Sequence, residues 1–255
     1  MSLLSARIPN SLRGIWGEYG AWAVVLPCCA AGLAAYRPPS AAALLLLPAV
    51  VLLTAAKGLV QRVRRTGQDW GMLASFVLAA LLCALPAAIA APWVAGTIVL
   101  AAAPFGALYL WVAGDPRWTR SLGVELAGTV LLTSSCLMAA AASRPDAARA
   151  AVLLWAAVGS LFPPGVLRAR LRKAPTAALR AAVVLCAAGG LAVQAALAHS
   201  GRLAPWGLAS GSVFLGDLWS AWALPQWSTR KLGAILTIRY SAAALVLALA
   251  WRATI

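Results

Sequence analysis

Apolar runs of about twenty residues follow one another along nearly the whole chain, and this feature restricts the fold more than any other. A stretch of about 18 or more apolar residues is typical of a transmembrane helix. The sequence therefore predicts an all-α, polytopic transmembrane helix bundle of about nine helices, formed by one integral membrane domain over residues 1–255. The nine predicted spans are 20–36, 41–60, 70–91, 93–112, 121–142, 149–167, 179–198, 205–223 and 231–252.

The composition agrees with a membrane protein and argues against a soluble one. Hydrophobic residues make up 63% of the chain and charged residues 11%, whereas about a quarter of a soluble domain is charged. The net charge of +15 would suggest nucleic acid in a soluble protein. Here the basic residues lie between apolar spans, so membrane topology explains them and we expect no nucleic-acid partner. The first twenty residues do not have the pattern of a cleaved signal peptide.

The basic residues also predict how the chain is threaded. When the loops are assigned alternately to two sides, 16 of the 21 Lys and Arg residues fall on the side of the N-terminal segment 1–19. By the positive-inside rule this side is cytoplasmic, and an odd number of spans places the C-terminus outside. We therefore expect a multi-pass protein of the cytoplasmic (inner) membrane, with membrane lipids as its surroundings.

Acidic residues near the predicted cytoplasmic side form the first candidate site. A charge inside the membrane costs about 2.5–3.5 kcal/mol on insertion scales, so such a residue normally faces the bundle interior and a partner. One interpretation is a polar cavity open to the cytoplasm, with Glu125 as its leading acid because glycines flank it. The candidate lining residues are Glu18, Tyr19, Trp22, Glu125 and Asp217.

The alternative interpretation is structural, because a neighbouring Arg can neutralise each acid and join two helices. Arg120 is the suggested partner for Glu125, and Arg230 is the suggested partner for Asp217. In that case the acids hold the bundle together and line no cavity. The sequence leaves both interpretations open.

Two basic loops form the second candidate site, one after span two and one after span six. The planar fork of Arg suits phosphate, so together these loops are candidates for contacting an anionic lipid headgroup or a diphosphate. The alternative is that they only set the orientation and attract anionic lipids. The residues concerned are Lys57, Arg62, Arg64, Arg65, Arg168, Arg170, Arg172 and Lys173.

The residue types for metal or cofactor chemistry are scarce. His199 is the single histidine, and the five cysteines lie inside apolar runs without metal-ligand spacing. We interpret these cysteines as small side chains that suit a lipid environment. No Ser-His-Asp set or Gly-rich phosphate loop is present, so the sequence predicts no metal, no cofactor and no catalytic residue.

Short motifs resemble those of the YwiC-like membrane proteins. Gly20-Ala21-Trp22-Ala23 and Pro27 are similar to the opening of that family's first helix, with Tyr19 where the family usually has His. A basic cluster at 57–65, the Arg-Ser-Leu-x-x-Glu-Leu segment at 120–126 and the start of the last helix at 230–233 are similar as well. The resemblance implies an integral membrane protein whose family has no assigned function.

The predicted architecture is also similar, more distantly, to the UbiA-type intramembrane prenyltransferases. Those enzymes carry Asp-rich motifs after their second and sixth helices, where they bind magnesium and a prenyl diphosphate. The corresponding stretches here, 55–68 and 160–176, contain no acid. Since Mg²⁺ is held by oxygen ligands such as carboxylates, no metal-dependent diphosphate site is expected.

Three functions remain open at the level of sequence. The first is a non-catalytic or accessory membrane protein with a membrane protein partner, which the scarcity of catalytic side chains favours. The second is a metal-independent, prenyltransferase-like protein that binds an isoprenoid or quinone-type lipid. The third is a small-molecule or anion transporter.

Overall fold

The computed structural model describes residues 19–112, 121–223 and 229–255, and these residues form eleven α-helices and two 3-10 helices. The α-helices are α1 (Tyr19–Ala34), α2 (Ala41–Leu44), α3 (Leu46–Thr66), α4 (Trp70–Ala90), α5 (Pro92–Val112), α6 (Leu122–Ser143), α7 (Ala148–Gly159), α8 (Phe162–Lys173), α9 (Ala177–His199), α10 (Ser212–Ala223) and α11 (Thr229–Arg252). The 3-10 helices are Pro145–Ala147 and Pro205–Gly211.

This architecture confirms the predicted all-α bundle. Six helical stretches of the described ranges are long and apolar enough to cross a membrane, which makes the chain a multi-pass membrane protein. They are Ala41–Val60, Trp70–Ala90, Leu122–Ser143, Pro145–Lys173, Ala177–His199 and Lys231–Arg252. The apolar stretches Ala21–Ala34 and Pro92–Pro104 are shorter, and α10 has 12 residues. That these three regions also cross the membrane stays a prediction.

The two basic segments predicted as loops are helical instead. α3 continues through the first of them to Thr66, and α8 continues through the second to Lys173. Leu, Arg, Lys and Gln are good helix formers, and cations near a helix C-terminus interact favourably with its dipole. α3 ends where Gly67 adopts a left-handed conformation with φ of 68°, a usual way to stop a helix.

Prolines interrupt two of the predicted spans. Pro48 has no N–H for the carbonyl of Leu44, and α2 ends there. Pro163 and Pro164 likewise separate α7 from α8, so the predicted span 149–167 is two helices that end at Lys173. Span 205–223 is also divided into two parts. Its first seven residues form a 3-10 helix, and α10 begins after them.

α1 lies at the centre of the packing, between α6 and α11. Its Cys28 and Cys29 are fully buried, as is Cys136 on α6. These three thiols therefore belong to the protein core and do not face lipid. All five cysteines are free.

Contacts between helix ends agree with the predicted alternation of the chain. Ser40 Oγ donates a hydrogen bond to the carbonyl of Ala142 at 2.7 Å, and Thr254 Oγ1 donates to the carbonyl of Arg202 at 3.0 Å. Each of these contacts joins two segments that were predicted on the outer side. At the opposite ends of the helices, Glu125 on α6 meets Arg170 on α8. Which end faces the cytoplasm stays a prediction.

Candidate functional site

Two arginines, an aspartate and a tyrosine form a buried polar cluster where α8, α10 and α11 meet. Its members are Arg168 on α8, Asp217 on α10, and Arg239 and Tyr240 on α11; we call it the Asp217 cluster. The Asp217 side chain is 0% exposed and that of Arg168 is 4% exposed, whereas Arg239 keeps 29% of its side chain accessible. Tyr240 is buried. Such burial of charge normally requires pairing.

The carboxylate of Asp217 is the centre of the cluster. Tyr240 donates its hydroxyl to Asp217 Oδ2 at 2.7 Å. The Nη1 atoms of Arg168 and Arg239 lie 3.6 Å and 3.9 Å from Oδ1. These two contacts are ion pairs without a hydrogen bond, because Oδ1 accepts none from the described residues. One acid from α10 therefore links three side chains from two other helices.

The guanidinium groups use their hydrogen bonds on the backbone of α10. Arg239 Nη2 donates to the carbonyl of Val213 at 2.8 Å, and Arg168 Nη1 donates to the carbonyl of Gly216 at 3.4 Å. With both guanidinium groups charged and the carboxylate ionised, the cluster carries one net positive charge. Arg168 and Arg239 thus contact α10 from two neighbouring helices, and Asp217 neutralises only one of their two positive charges.

Two glycines make room for this arrangement. A β-carbon at Gly216 would overlap the guanidinium group of Arg239, and one at Gly165 would overlap the ring of Tyr240. Both glycines lie within α-helices, where Gly is unfavourable compared with Ala by roughly 0.8–1.0 kcal/mol. The close approach of Arg239 and Tyr240 to Asp217 explains why the smallest residue stands at these two positions.

A second ion pair lies on the other face of α8. Arg170 Nε and Glu125 Oε2 are 2.7 Å apart, with side-chain exposures of 28% and 38%. Residues two apart on an α-helix point about 200° away from each other. Arg168 and Arg170 therefore face different neighbours, α10 with α11 on one side and α6 on the other. α8 is joined to the bundle by an arginine on each face.

The proposed cavity residues are not gathered in one place. Glu125 and Asp217 belong to separate ion pairs on different faces of α8. Trp22 is partly buried on α1 and packs with Leu59 and residues of α4. Tyr19 is the first residue of α1, and its side chain is outside the described part, as is the whole of Glu18.

The partners that the structure shows for the two acids differ from those suggested by the sequence. Arg170 binds Glu125, and Arg168, Arg239 and Tyr240 surround Asp217. The suggested Arg120 lies outside the described residues, and so does the side chain of Arg230. The structural interpretation, in which each acid neutralises an arginine and joins helices, agrees with both pairs.

The basic residues predicted as headgroup contacts have divergent environments. Arg168 and Arg170 point into the bundle and bind acids. Arg62 forms an ion pair with Asp69 at 2.9 Å, between the end of α3 and the start of α4. Lys173 is exposed and Arg172 partly exposed, at the end of α8. The side chains of Lys57, Arg64 and Arg65 lie outside the described ones.

Arg239 and Tyr240 are the members of the site that sequence reasoning missed. Arg239 is one of the 16 basic residues assigned above to the cytoplasmic side, although it is the ninth of 22 residues in the span Lys231–Arg252. A charge that far inside an apolar helix indicates a functional or structural partner. That signal was present in the sequence, whereas the hydroxyl of Tyr240 could be assigned only from the fold.

The fold and the cluster define a class: a multi-pass helical membrane protein with a buried, arginine-rich ion-pair centre. Within the described ranges, no three His, Cys, Asp or Glu residues lie together in a way that could hold a metal ion. Comparisons with protein-family models, with curated proteins and with solved structures give no match.

Proposed function

We propose that the chain is a non-catalytic accessory protein of the cytoplasmic membrane, a subunit or assembly factor that acts by binding another membrane protein. The observation that supports this proposal is that the acidic side chains are paired with arginines. Each of the four acids in the described ranges forms an ion pair with an arginine, as Arg62–Asp69, Arg144–Asp146, Arg168–Asp217 and Arg170–Glu125. Three of these pairs, all but Arg144–Asp146, join different helices, which favours a structural role for the acids over acid–base chemistry.

The orientation proposed for the chain places the Glu125–Arg170 pair and the end of α8 towards the cytoplasm. The positive-inside rule supports this choice, since the basic residues concentrate at those helix ends. Membership of the YwiC-like proteins stays a prediction on the short motifs described above. It is compatible with an accessory role, because that family has no assigned activity.

The proposal is tested by asking whether the chain forms a defined complex in its own membrane. Tagged full-length protein is extracted in a mild detergent, and its mass is measured by native electrophoresis and light scattering. We expect a complex with a second protein in fixed stoichiometry. The Arg144→Gln variant serves as a control, because the Arg144–Asp146 pair is exposed and lies away from the Asp217 cluster. A bare monomer in its micelle, with no second protein, would contradict the accessory role.

A second candidate function is transport of a small molecule or anion, and the depth of the Asp217 cluster favours it. Ionisable residues inside membrane proteins often mark ion or substrate pathways. Uptake of a radiolabelled anion into proteoliposomes, lost in Arg239→Gln, would support transport. An isoprenoid or quinone-type lipid that co-purifies with the protein would support the lipid-binding alternative instead.

A further inference from the structure

Arg239 lies at the edge of an exposed apolar face that α10 and α11 share. Leu215 and Trp219 on α10 are 60% and 74% exposed, and Ile238 on α11 is 69% exposed. Leu215 and Trp219 flank Gly216, the residue on which the guanidinium group of Arg239 rests. A partly accessible cation therefore interrupts a surface that is otherwise apolar.

Within the described part of the protein, Arg239 and Arg168 share a single carboxylate, so the Asp217 cluster keeps one net positive charge. The carboxylate of Asp217 is shared with Arg168, which lies 3.6 Å from it, closer than the 3.9 Å to Arg239. Arg239 is eight residues inside its span, which corresponds to about 12 Å along the helix axis at a rise of about 1.5 Å per residue. A net positive charge at this depth in a hydrocarbon core of about 30 Å is costly unless a further carboxylate balances it.

We propose that this face binds a transmembrane helix of a different membrane protein, and that an Asp or Glu of that helix pairs with Arg239. The inference rests on the accessory role proposed above, for which it supplies the interface. An acidic residue on a helix can reach the depth of Arg239 directly. A lipid headgroup lies at the membrane surface, about 12 Å further out by the same rise per residue.

The composition of the face suits a helix as the bound partner. Ala234 and Ala242 are exposed on α11, about one turn before and one turn after Ile238. Small residues allow two membrane helices to approach closely, and polar contacts between them add about 1–2 kcal/mol in model peptides. The apolar side chains of α10 and α11 would pack beside the ion pair and exclude water from it.

A second copy of this chain is a poorer partner for the same face. The four acids in the described ranges are each held by an arginine of their own chain. Asp217, which lies closest to the required depth, is fully buried. None of the acids in the described ranges is therefore free to pair with Arg239 of a second copy, which favours an acid on a transmembrane helix of a different protein.

The test uses full-length protein in phosphatidylcholine vesicles and a synthetic helix as the probe. The probe is a Leu/Ala-rich peptide of about 22 residues with Lys at both ends and one Glu in its ninth position; a matched peptide carries Gln there. Binding is measured by energy transfer between labelled protein and labelled peptide. We expect the Glu peptide to bind about tenfold more tightly than the Gln peptide. Equal binding of the two peptides would overturn the proposal.

Variants of the protein test whether the preference for the Glu peptide depends on Arg239. Arg239→Gln should remove the preference for Glu, and Arg239→Lys should keep most of it because the charge remains. Ala242→Trp leaves Arg239 in place but blocks close approach, so we expect weaker binding of the Glu peptide. Arg149→Gln changes an exposed arginine elsewhere and should have no effect. A Glu preference that survives Arg239→Gln would overturn the proposal.

The other possible occupants give distinguishable results. If anionic phospholipid added to the vesicles abolishes the Glu preference, the face binds a headgroup and the proposal is wrong. If the protein associates with itself and Arg239→Gln prevents this, the occupant is a second copy, which also contradicts it. A native complex that persists unchanged in Arg239→Gln would leave the accessory role standing while the proposed interface fails.

Discussion

Asp217 and Glu125 are both paired with arginine, but they differ in burial. We therefore expect their ion pairs to contribute differently to the free energy of unfolding. The side chain of Asp217 is 0% exposed, whereas that of Glu125 is 38% exposed. Removing one partner of a buried ion pair leaves an uncompensated charge, at a cost of about 3–5 kcal/mol. A pair at the surface contributes only about 0–1 kcal/mol, and the partly exposed Glu125–Arg170 pair lies closer to that limit than the Asp217 cluster does. Glu125 was the leading acid by sequence, and burial was the property that sequence did not supply.

This difference predicts unequal effects of two matched substitutions. Asp217→Asn keeps an acceptor for Tyr240 but leaves Arg168 and Arg239 without their carboxylate, so we expect a loss of about 3–5 kcal/mol in the free energy of unfolding. Glu125→Gln should lose at most about 1 kcal/mol. The measurement is unfolding in mixed detergent micelles by titration with a denaturing detergent. Equal losses for the two variants would show that the Asp217 cluster contributes no more to the free energy of unfolding than the Glu125–Arg170 pair does.

At the scale of helices, the apolar runs predicted nearly every element, because a span of about twenty apolar residues has few alternatives in a membrane. The tight turn between α4 and α5 at Ala91 was also predicted correctly. What the runs missed were the helix ends and the breaks. The segments at 57–65 and 168–173 are polar, so hydropathy excludes them, although their residues favour a helix. The break after Gly159 was missed because the two prolines that follow lie in an apolar run.

Helix packing around the Asp217 cluster predicts opposite effects for two glycines. A methyl group at Gly216 would overlap Arg239, so Gly216→Ala should cost about 1–3 kcal/mol of stability, as overpacking does. Gly189 on α9 has no atom within contact distance of the added carbon. Gly189→Ala should therefore stabilise the protein by roughly 0.5–1 kcal/mol, the helix preference of Ala over Gly.

The same unfolding measurement tests both glycine variants, with the natural protein as the reference. If Gly216→Ala is as stable as Gly189→Ala, then Arg239 does not lie against the backbone of α10. In that case the assignment of the Asp217 cluster fails, and Arg239 must have another position.

For the whole molecule, the sequence predicts a complete topology but only part of the candidate site. The apolar spans and the charges of the loops between them can be counted directly in one sequence. These counts predict how the chain alternates between the two sides of the membrane. The candidate site depends on contacts between distant residues, such as the hydrogen bond from Tyr240 to Asp217. The position of Asp217 within an apolar span is unusual, but nothing in the sequence assigns Tyr240 as its partner. The pairing of Arg168 with α10 and of Arg170 with α6 follows only when α8 lies between them.

The orientation of the whole molecule gives the last prediction, which uses two exposed positions at opposite helix ends. Lys173 ends α8 on the predicted cytoplasmic side, and Arg149 lies near the start of α7 on the predicted outer side. Single cysteines are introduced as Lys173→Cys and Arg149→Cys, and intact cells are treated with a membrane-impermeant maleimide. We expect Arg149→Cys to react in intact cells and Lys173→Cys to react only after permeabilisation.

The unaltered chain is the control for this labelling, because Cys28, Cys29 and Cys136 are buried and the other two cysteines are partly buried within helices. The reverse pattern, with Lys173→Cys reacting in intact cells, would show that the basic helix ends face outwards. The positive-inside rule would then be violated by this protein, and the end of α8 would face the outside. Reaction at both positions would mean that the chain does not pass between the two sides over α7 and α8, which would contradict the predicted alternation itself.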